Sequence, residues 1–180
     1  MSEQSETGTD RVMVDIETLG RDPDAAIVSL GAVRFDTFGL GTTFERSVDL
    51  QSCEAADRHI EADTLAWWLD QDDAAREQLT GGEPLAEVLE DFVDWYGDAE
   101  EIWANSPSFD CAILADACEA VGVPVPWAFW QERDFRTLKN LPVAAEMDHG
   151  GVEHDALHDA IHQATVASET LARLHMEGER

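Results

Sequence analysis

Two acidic residues interrupt an apolar run near the start of the sequence. Asp15 and Glu17 stand two positions apart in the segment 11–17, where aliphatic residues alternate with them. Side chains two positions apart in a β-strand project from the same face, roughly 6.6 to 6.8 Å apart, so both carboxylates can reach one site. Such oxygen ligands suit Mg²⁺ and Mn²⁺. A solvated strand edge is the alternative in a chain this acidic, but unpaired charge is costly in so apolar a strand.

A third carboxylate follows a short predicted strand. That strand, Glu101 to Ala104, ends in the turn-forming residues 105–108, and Asp110 stands where the next helix begins. The helix dipole favours an ionised side chain at this position, from which a carboxylate can reach the cleft at the strand end. Asp110 could instead only stabilise the first helical turn. Its role as a ligand therefore depends on the other acidic residues.

The remaining cluster lies at the entry of a predicted C-terminal helix. His154 and Asp159 are five positions apart and can flank the same site. A histidine can accept a proton near neutral pH and act as a general base, although a histidine at a helix start is more often a capping or surface group. His158 and His162 have the spacing of a zinc pair but no third ligand at suitable spacing. The pattern favours a site for hard cations with a histidine base.

These residues must be positioned by an α/β domain. The predicted strands are Arg11 to Glu17, Ile27 to Phe35, Thr42 to Val48 and Glu101 to Ala104, the first three as an antiparallel meander. The predicted helices are a segment from Asp63 or Thr64 to Gln71, Asp72 to Leu79, Pro84 to Tyr96, Phe109 to Val121, and a C-terminal helix with an apolar stripe from Ala156 to Leu174. Strands first, then mixed helices and a strand, indicate the α/β class.

The charge of the chain is extreme. There are 39 acidic and 11 basic residues, the net charge is -28, and Lys139 is the only lysine. Acidic residues spread over every segment are typical of a protein adapted to high salt, as in halophilic archaea or their viruses. Because the Debye length is about 3 Å at 1 M salt, this acidity does not exclude a nucleic-acid substrate. An acidic decoy that imitates DNA is the competing interpretation.

The length and the cysteines indicate one cytoplasmic domain. A chain of 180 residues with 44 % apolar residues can form one core. Cys53, Cys111 and Cys118 form no CxxC pair, which favours a reducing, cytoplasmic setting. Residues 1–10 are polar and predicted to be disordered, and no run approaches the roughly 18 apolar residues of a membrane span. We therefore expect neither export nor membrane insertion.

The ordered set of motifs resembles a known superfamily. The segment Val14 to Thr18, the pair Phe109-Asp110, and His154 followed five residues later by Asp159 resemble the DEDDh exonucleases, which include ribonuclease T, oligoribonuclease and polymerase proofreading domains. The similarity covers residues 11–174. Further segments resemble the phage and bacterial 3′-5′ exoribonuclease-like branch related to exonuclease VIII, namely Thr64 to Leu69, Ala75-Arg76, Pro126-Trp127, Arg133 to Leu138 and His154 to Ala160.

The resemblance implies a ribonuclease H-like fold, a mixed central sheet flanked by helices, over residues 11–176. It implies two divalent cations, Mg²⁺ or Mn²⁺, with His154 as the general base. The implied metal ligands are Asp15, Glu17, Asp110 and Asp159. Thr18 and Leu19 are implied to meet the terminal nucleotide through backbone and apolar contact. The chain departs from the family at His158, where relatives usually carry an apolar or aromatic residue, and in its acidic surface.

Aromatic and basic residues supply further predictions about the substrate. Trp67 and Trp68 project about 100° apart on a helix, so one is expected in the core and the other, Trp67, beside the cleft with Phe109. Base stacking there is worth about 1 to 3 kcal/mol. Arg136 and Arg76 are candidate phosphate contacts, with structural ion pairs as the alternative. Core positions are expected for Trp103, Trp127, Phe129 and Trp130.

The predicted function is 3′-5′ exonuclease activity that releases 5′-mononucleotides from the 3′ end of RNA or DNA, with RNA favoured. An endonuclease on the same fold is one alternative, but it should lack a histidine five residues before the last aspartate. An inactive nucleic-acid or protein-binding module is another, and it would not need all five residues. An acidic nucleic-acid mimic is the third. The sequence leaves open whether the chain forms a homodimer.

Overall fold

A five-stranded mixed sheet forms the centre of the computed structural model, which describes residues 10–146 and 154–178. The strands are β1 (Arg11–Thr18), β2 (Ile27–Phe35), β3 (Leu40–Ser47), β4 (Glu101–Ala104) and β5 (Glu132–Asp134). Their order across the sheet is β3-β2-β1-β4-β5. Strands β1 to β3 form the predicted antiparallel meander, whereas β4 pairs in parallel with both β1 and β5. The strand that carries Asp15 and Glu17 is therefore the central one.

Helices cover both faces of this sheet. They are α1 (Leu50–Ala55), α2 (Ala62–Leu69), α3 (Asp73–Glu77), α4 (Leu85–Tyr96), α5 (Asp110–Val121), α6 (Phe135–Lys139) and α7 (Ala156–Gly178). Helix α7 packs along β1 and β2. A mixed sheet flanked by helices confirms the predicted fold class. The prediction omitted α1, β5 and α6, because elements this short contain too few residues to show a periodic pattern.

Alternation along β1 separates two apolar cores. Val12, Val14 and Ile16 pack in one cluster with residues of α4 and α5. Met13 belongs to a second cluster with residues of α6 and α7. Because successive side chains of a strand point to opposite faces, Asp15 and Glu17 share the face of Met13. The carboxylates of Asp15 and Glu17 thus occupy the face on which the second core would otherwise continue. Burying their charge there costs free energy unless a positive charge compensates it.

Helix α7 approaches the sheet closely at Gly31. This glycine pairs with Asp15 in the register of β1 and β2. A Cβ atom at Gly31 would lie 2.2 Å from the backbone nitrogen of Leu157 and 2.3 Å from the carbonyl carbon of Ala156. Glycine therefore allows the first turn of α7 to lie directly against the sheet. This contact sets the position of Asp159, about one turn further along the helix.

Gly31→Ala is expected to displace the start of α7, because the atoms that a methyl group would meet belong to the backbone. Overpacking of this kind costs about 1 to 3 kcal/mol, and the affinity for Mn²⁺ should fall as Asp159 moves. Urea unfolding and a Mn²⁺ titration measure the two effects. Gly178→Ala is the control, since nothing lies within 4 Å of a Cβ there. Wild-type stability and Mn²⁺ affinity in Gly31→Ala would contradict this role.

The burial of two aromatic residues was predicted wrongly. Phe129 and Trp130 are 79 % and 68 % exposed, whereas Trp103 and Trp127 are buried as expected. The exposed pair lies in a 3-10 turn, Phe129–Gln131, directly before β5. Because β5 is an edge strand, no element of the described part of the chain covers this turn. Apolar character predicts burial only where another element packs above it.

Other predictions concern the termini and the cysteines. All three cysteines are free and buried. Among the described residues, no helix combines the length and the apolar character that a membrane span needs. Residues 1–10 were predicted to be disordered, and all of them except Asp10 lie outside the described part of the chain. The loop that contains His149 also lies outside it.

Candidate metal centre

Three carboxylates from two elements converge at the end of β1. Asp15 and Glu17 project from one face of the strand, and Asp159 reaches them from the first turns of α7. One oxygen atom from each carboxylate lies within 4.8 Å of the other two. A β-bulge between Glu17 and Thr18 interrupts the pairing with β2 here, and bulges commonly re-aim side chains beside functional sites. We call these three residues the carboxylate cluster.

Asp110 lies beside the carboxylate cluster at the start of α5. Its side chain is tied to β1, because Oδ1 accepts a hydrogen bond from the backbone N–H of Ile16 at 3.4 Å. The residue is only 5 % exposed and lines a cavity together with Asp15 and Arg136. Among the described residues, the tightest group of ligand atoms does not include Asp110. The structure thus brings three predicted ligands together and places the fourth next to them.

Burial and crowding oppose ionisation of these carboxyl groups. Burial, together with the charges of Asp159, Asp110 and Asp155, raises the pKa of Glu17 to about 7. Burial also raises the pKa of Asp15, and the charge of Asp110 acts in the same direction. The pKa of Asp110 is raised by burial, against the hydrogen bond from the backbone of Ile16. Stable ionisation of Asp15, Glu17 and Asp110 together therefore requires positive charge at the site.

The donor set suits hard divalent cations. Oxygen ligands are those that Mg²⁺ and Mn²⁺ prefer, and a cation would relieve the repulsion within the carboxylate cluster. Gln163, four residues after Asp159 on α7, donates from Nε2 to Oδ1 of Asp15 at 2.8 Å. A hydrogen bond of this kind fixes the orientation of a metal-binding carboxylate. The Oε1 atom of Gln163 is buried and has no hydrogen-bond partner among the described residues.

The raised pKa of Glu17 predicts how pH acts on the metal-free protein. The folded-state pKa of this residue is about 7, while that of an unfolded glutamate is about 4.3. Between these values the folded state binds more protons, so the free energy of unfolding falls as the pH rises through the interval. The loss attributable to Glu17 is at most about 4 kcal/mol. Saturating Mg²⁺ should reduce this loss of stability at higher pH, because cations bind the ionised form of the folded protein.

Urea unfolding between about pH 5 and pH 8, in EDTA and in Mg²⁺, measures this dependence. Glu17→Gln should flatten the metal-free profile because the titrating group is gone. Glu169→Gln removes the same charge from an exposed position on α7, half accessible at 50 %, and should leave the profile unchanged. Parallel metal-free profiles for the wild type and Glu17→Gln would contradict the assigned pKa.

A cavity of ≈ 440 Å³ opens beside Glu17, and we call it the Trp67 cavity. Its lining includes Glu17, Thr18, Trp67 and Phe109. Trp67 is 44 % exposed, whereas Trp68 is buried and donates from Nε1 to the carbonyl oxygen of Thr18 at 2.9 Å. The prediction that one of the two tryptophans packs in the core is therefore confirmed. The other presents an aromatic face of the kind on which nucleic-acid bases stack.

His154 lies beside the Trp67 cavity. Its ring centroid is 4.7 Å from that of Trp67 and 6.3 Å from that of Trp68. The backbone adopts a φ of 66°, in the left-handed region, and the carbonyl oxygen accepts a hydrogen bond from Nε2 of Gln78 at 2.8 Å. These contacts hold the imidazole against the tryptophans that border Glu17. Residues 147–153, which precede His154, lie outside the described residues.

The surroundings of Leu19, Arg76 and the pair His158 and His162 limit the roles that these residues can have. Leu19 is fully buried at 0 % exposure, so its side chain has no surface for apolar contact with a nucleotide, because the chain turns into the core after the bulge. Arg76 forms an ion pair with Asp73, which is the structural alternative stated for it. Among the described residues, neither His158 nor His162 belongs to a group of potential metal ligands.

A second cavity of ≈ 420 Å³ adjoins Asp15 and Asp159; we call it the Lys139 cavity. Its other lining residues are Asn105, Phe135, Lys139, Ala145, Glu146, His162, Gln163 and Val166. The sequence interpretation missed Asn105, Lys139 and Gln163. Gln163 lies four residues after Asp159, on the same helical face, and Lys139 is the only lysine, so both had a signal in the sequence. Asn105 had none.

Comparisons with known proteins agree with this geometry. Residues 10–171 match the profile of the family described as 3′-5′ exoribonuclease Rv2179c-like domain. An exodeoxyribonuclease of Enterobacteria phage T4 is 26 % identical over 188 residues, covering 82 % of each chain. The nuclease domain of 3′hExo, a DEDDh family member solved bound to rAMP, is similar in structure, with a TM-score of 0.60 at 14 % identity over 93 % of this chain and 92 % of that one. This likeness confirms the ribonuclease H-like fold.

Proposed function

Because this chain belongs to the 3′-5′ exoribonuclease Rv2179c-like family, we propose that it is an exonuclease that degrades RNA from the 3′ end with two divalent cations, Mg²⁺ or Mn²⁺. Metal-dependent 3′-5′ exonuclease activity follows from the family. The convergence of Asp15, Glu17 and Asp159 within 4.8 Å carries the proposal of two cations. Partly buried acidic groups this close repel one another unless cations neutralise them.

The residues of the site have distinct roles in this proposal. Asp15 and Glu17 on β1, Asp110 on α5 and Asp159 on α7 would hold the cations. When bound, the cations stabilise the negative charge that develops on the attacked phosphate and on the leaving oxygen. His154 would accept the proton of the attacking water as general base. The edge-on contact with Trp67 would keep its ring in place, and the products would be 5′-mononucleotides.

The Trp67 cavity would hold the 3′-terminal nucleoside. Trp67 and Phe109 offer aromatic surface for the base, and stacking of this kind contributes about 1 to 3 kcal/mol per base. The hydrogen bond from Trp68 to the carbonyl of Thr18 fixes the backbone at the end of β1. The attacked phosphate would then lie at the carboxylate cluster, where Arg136 lines the adjoining cavity.

The proposal also includes a preference for RNA over DNA as the substrate. The family description names exoribonuclease activity, whereas the phage T4 relative is named an exodeoxyribonuclease. The test uses 5′-labelled RNA and DNA oligonucleotides of one sequence, in Mn²⁺ and in EDTA at high KCl. We expect a ladder that shortens by one nucleotide at a time only with metal, a faster rate on RNA, and inhibition by a 3′-phosphate.

Other outcomes of this assay would support the alternative functions. Cuts within a circular single strand would identify an endonuclease. Binding of the oligonucleotides without metal-dependent hydrolysis would identify an inactive binding module or an acidic nucleic-acid mimic. A faster rate on DNA would contradict the proposed substrate while leaving the exonuclease activity intact.

We also propose that the protein works at high salt in a reducing, cytoplasmic compartment. The net charge of -28 and the spread of acidic residues support adaptation to salt, because such a surface repels itself when counterions are scarce. The three free and buried cysteines support a setting in which thiols stay reduced.

Both the thermal midpoint and the nuclease rate should increase between about 0.1 M and 1 M KCl, where the Debye length falls from about 10 Å to 3 Å. Nucleic-acid binding normally weakens with salt because counterion release contributes less. Here, screening of the repulsion between protein and phosphate acts in the opposite direction and should dominate, since few basic residues are present. Thermal melts and oligonucleotide assays across this range provide the measurement. A midpoint that stays flat or falls would contradict adaptation to salt.

A further inference from the structure

Most basic residues in the described part of the chain are engaged by acidic groups or by backbone carbonyls. Ion pairs with Asp or Glu are formed by Arg11, Arg21, Arg46, Arg58, Arg76, Arg133 and Arg173. Arg34 donates to the carbonyl oxygens of Trp95 and Tyr96. Among the arginines and the lysine within residues 10–146 and 154–178, the two whose side chains form neither an ion pair nor a hydrogen bond to a backbone carbonyl are Arg136 and Lys139.

These two residues border the carboxylate cluster from helix α6. They are three positions apart, so their side chains are neighbours on the helix surface, and both are exposed. Arg136 lines a cavity of ≈ 300 Å³ with Asp15 and Asp110. Lys139 lines the Lys139 cavity with Asp15 and Asp159. The Trp67 cavity is lined by neither, and the basic residue that does line it, Arg21, is paired with Glu61.

The lysine is held in place by neutral groups. Its Nζ donates to Oδ1 of Asn105 at 3.1 Å and lies 5.4 Å from the centroid of the Phe135 ring. An ammonium group has three donors, so donors remain for a further acceptor. Although Asp15, Glu146 and Asp159 line the same cavity, the only lysine of a chain with 39 acidic residues forms no ion pair within 4 Å with a described residue. An anionic ligand is the partner that this arrangement suits.

We propose that Arg136 and Lys139, with Asn105 holding the lysine, form a subsite for the phosphodiester groups immediately 5′ of the scissile linkage. The inference rests on the proposed function, in which the terminal nucleoside occupies the Trp67 cavity and the attacked phosphate lies at the carboxylate cluster. The rest of the strand then leaves along α6. Phosphate contacts fix the register of a nucleic acid and contribute attraction independent of sequence, which few other groups of this surface can supply.

The test compares Lys139→Gln with the wild type on three substrates. On an unmodified oligonucleotide, KM should rise roughly tenfold, as expected for loss of one charge-assisted hydrogen bond. On the 5′-p-nitrophenyl ester of a nucleoside monophosphate, which has no upstream phosphate, the rate should not change. The third substrate is an oligonucleotide in which a neutral methylphosphonate, carried on a deoxynucleotide, replaces the first linkage upstream of the scissile one. On this strand Lys139→Gln should change KM little.

Two variants serve as controls. Lys139→Arg keeps the charge and should retain near wild-type KM on the unmodified oligonucleotide. Arg173→Gln removes one positive charge from an ion pair on α7, so it changes the net charge by the same amount as Lys139→Gln and should leave all three substrates unaffected. Arg136→Gln should also raise KM on the unmodified oligonucleotide.

The results that would overturn the subsite are specific. An unchanged KM in Lys139→Gln would do so. Equal losses on the nucleotide ester and the oligonucleotide would instead assign the lysine to neutralising the carboxylates. Equal losses on the unmodified and methylphosphonate strands would place its contact elsewhere. A wild type that cleaves none of the substrates would contradict the proposed function. The subsite could then still be tested by binding in Ca²⁺: the affinities of the wild type and Lys139→Gln would be compared on the unmodified and the methylphosphonate strands.

Discussion

Asp15→Asn and Asp110→Asn are each expected to reduce hydrolysis by about 10³-fold or more. Asp15 belongs to the carboxylate cluster and lines two of the adjoining cavities, so loss of its charge weakens the hold on the cations. Those cations supply several kcal/mol of charge stabilisation, and about 4 kcal/mol corresponds to this factor. Steady-state rates and Mn²⁺ titration calorimetry on the same preparations measure the two effects together.

The stability of these variants separates loss of function from loss of fold. Burial and neighbouring charge raise the pKa of Asp15, so an uncharged asparagine should raise the thermal midpoint of the metal-free protein. Asp70→Asn, at the exposed C-terminal end of α2, is the matched control and should retain activity. Substantial metal-dependent turnover in Asp15→Asn would exclude this carboxylate as a ligand that the reaction requires.

His154→Ala is expected to slow turnover by about 10² to 10⁴-fold, the usual effect of losing a general base. Binding of Mn²⁺ should stay nearly unchanged, because the ring of His154 contacts Trp67 and Trp68 and the proposed ligands are all carboxylates. Single-turnover rates with saturating oligonucleotide, together with Mn²⁺ calorimetry, test this separation of roles.

The contact with the tryptophans requires its own control. His154→Phe keeps an aromatic ring against Trp67 but cannot accept a proton, so it should be as slow as His154→Ala. Added imidazole should partly restore the alanine variant, which leaves space for it, and not the phenylalanine variant. A phenylalanine variant with wild-type turnover would show that the ring acts through packing alone.

The central part of the fold was predictable because its signals are local. The alternation from Arg11 to Glu17 identified a strand with an apolar face and an acidic face, and the structure places that strand, β1, in the middle of the sheet. The long helix α7 was recognisable from its apolar stripe. The spacing of Asp15 and Glu17 also indicated one shared site, since residues two apart on a strand face the same way.

The parts that were missed depend on contacts between distant segments. The spacing of Gln163 from Asp159 places it near the site, but it donates to Asp15 across 148 positions in the chain, and no local pattern marks Asp15 as its partner. Gly31 has a role only because the backbone of α7 lies against it. Phe129 and Trp130 were expected in the core, but their exposure follows from their place before an edge strand. The short strand β5 and the short helix α6, which carries both Arg136 and Lys139, depend on pairing and packing rather than on periodicity.

If the four carboxylates hold two divalent cations, anomalous diffraction from crystals grown with Mn²⁺ and a nucleoside 5′-monophosphate should reveal both ions. We expect two manganese peaks about 3.5 to 4 Å apart, bounded by Asp15, Glu17, Asp110 and Asp159, with the nucleotide base in the Trp67 cavity. Manganese bound elsewhere, or no peak at the carboxylate cluster at saturating Mn²⁺, would contradict this assignment.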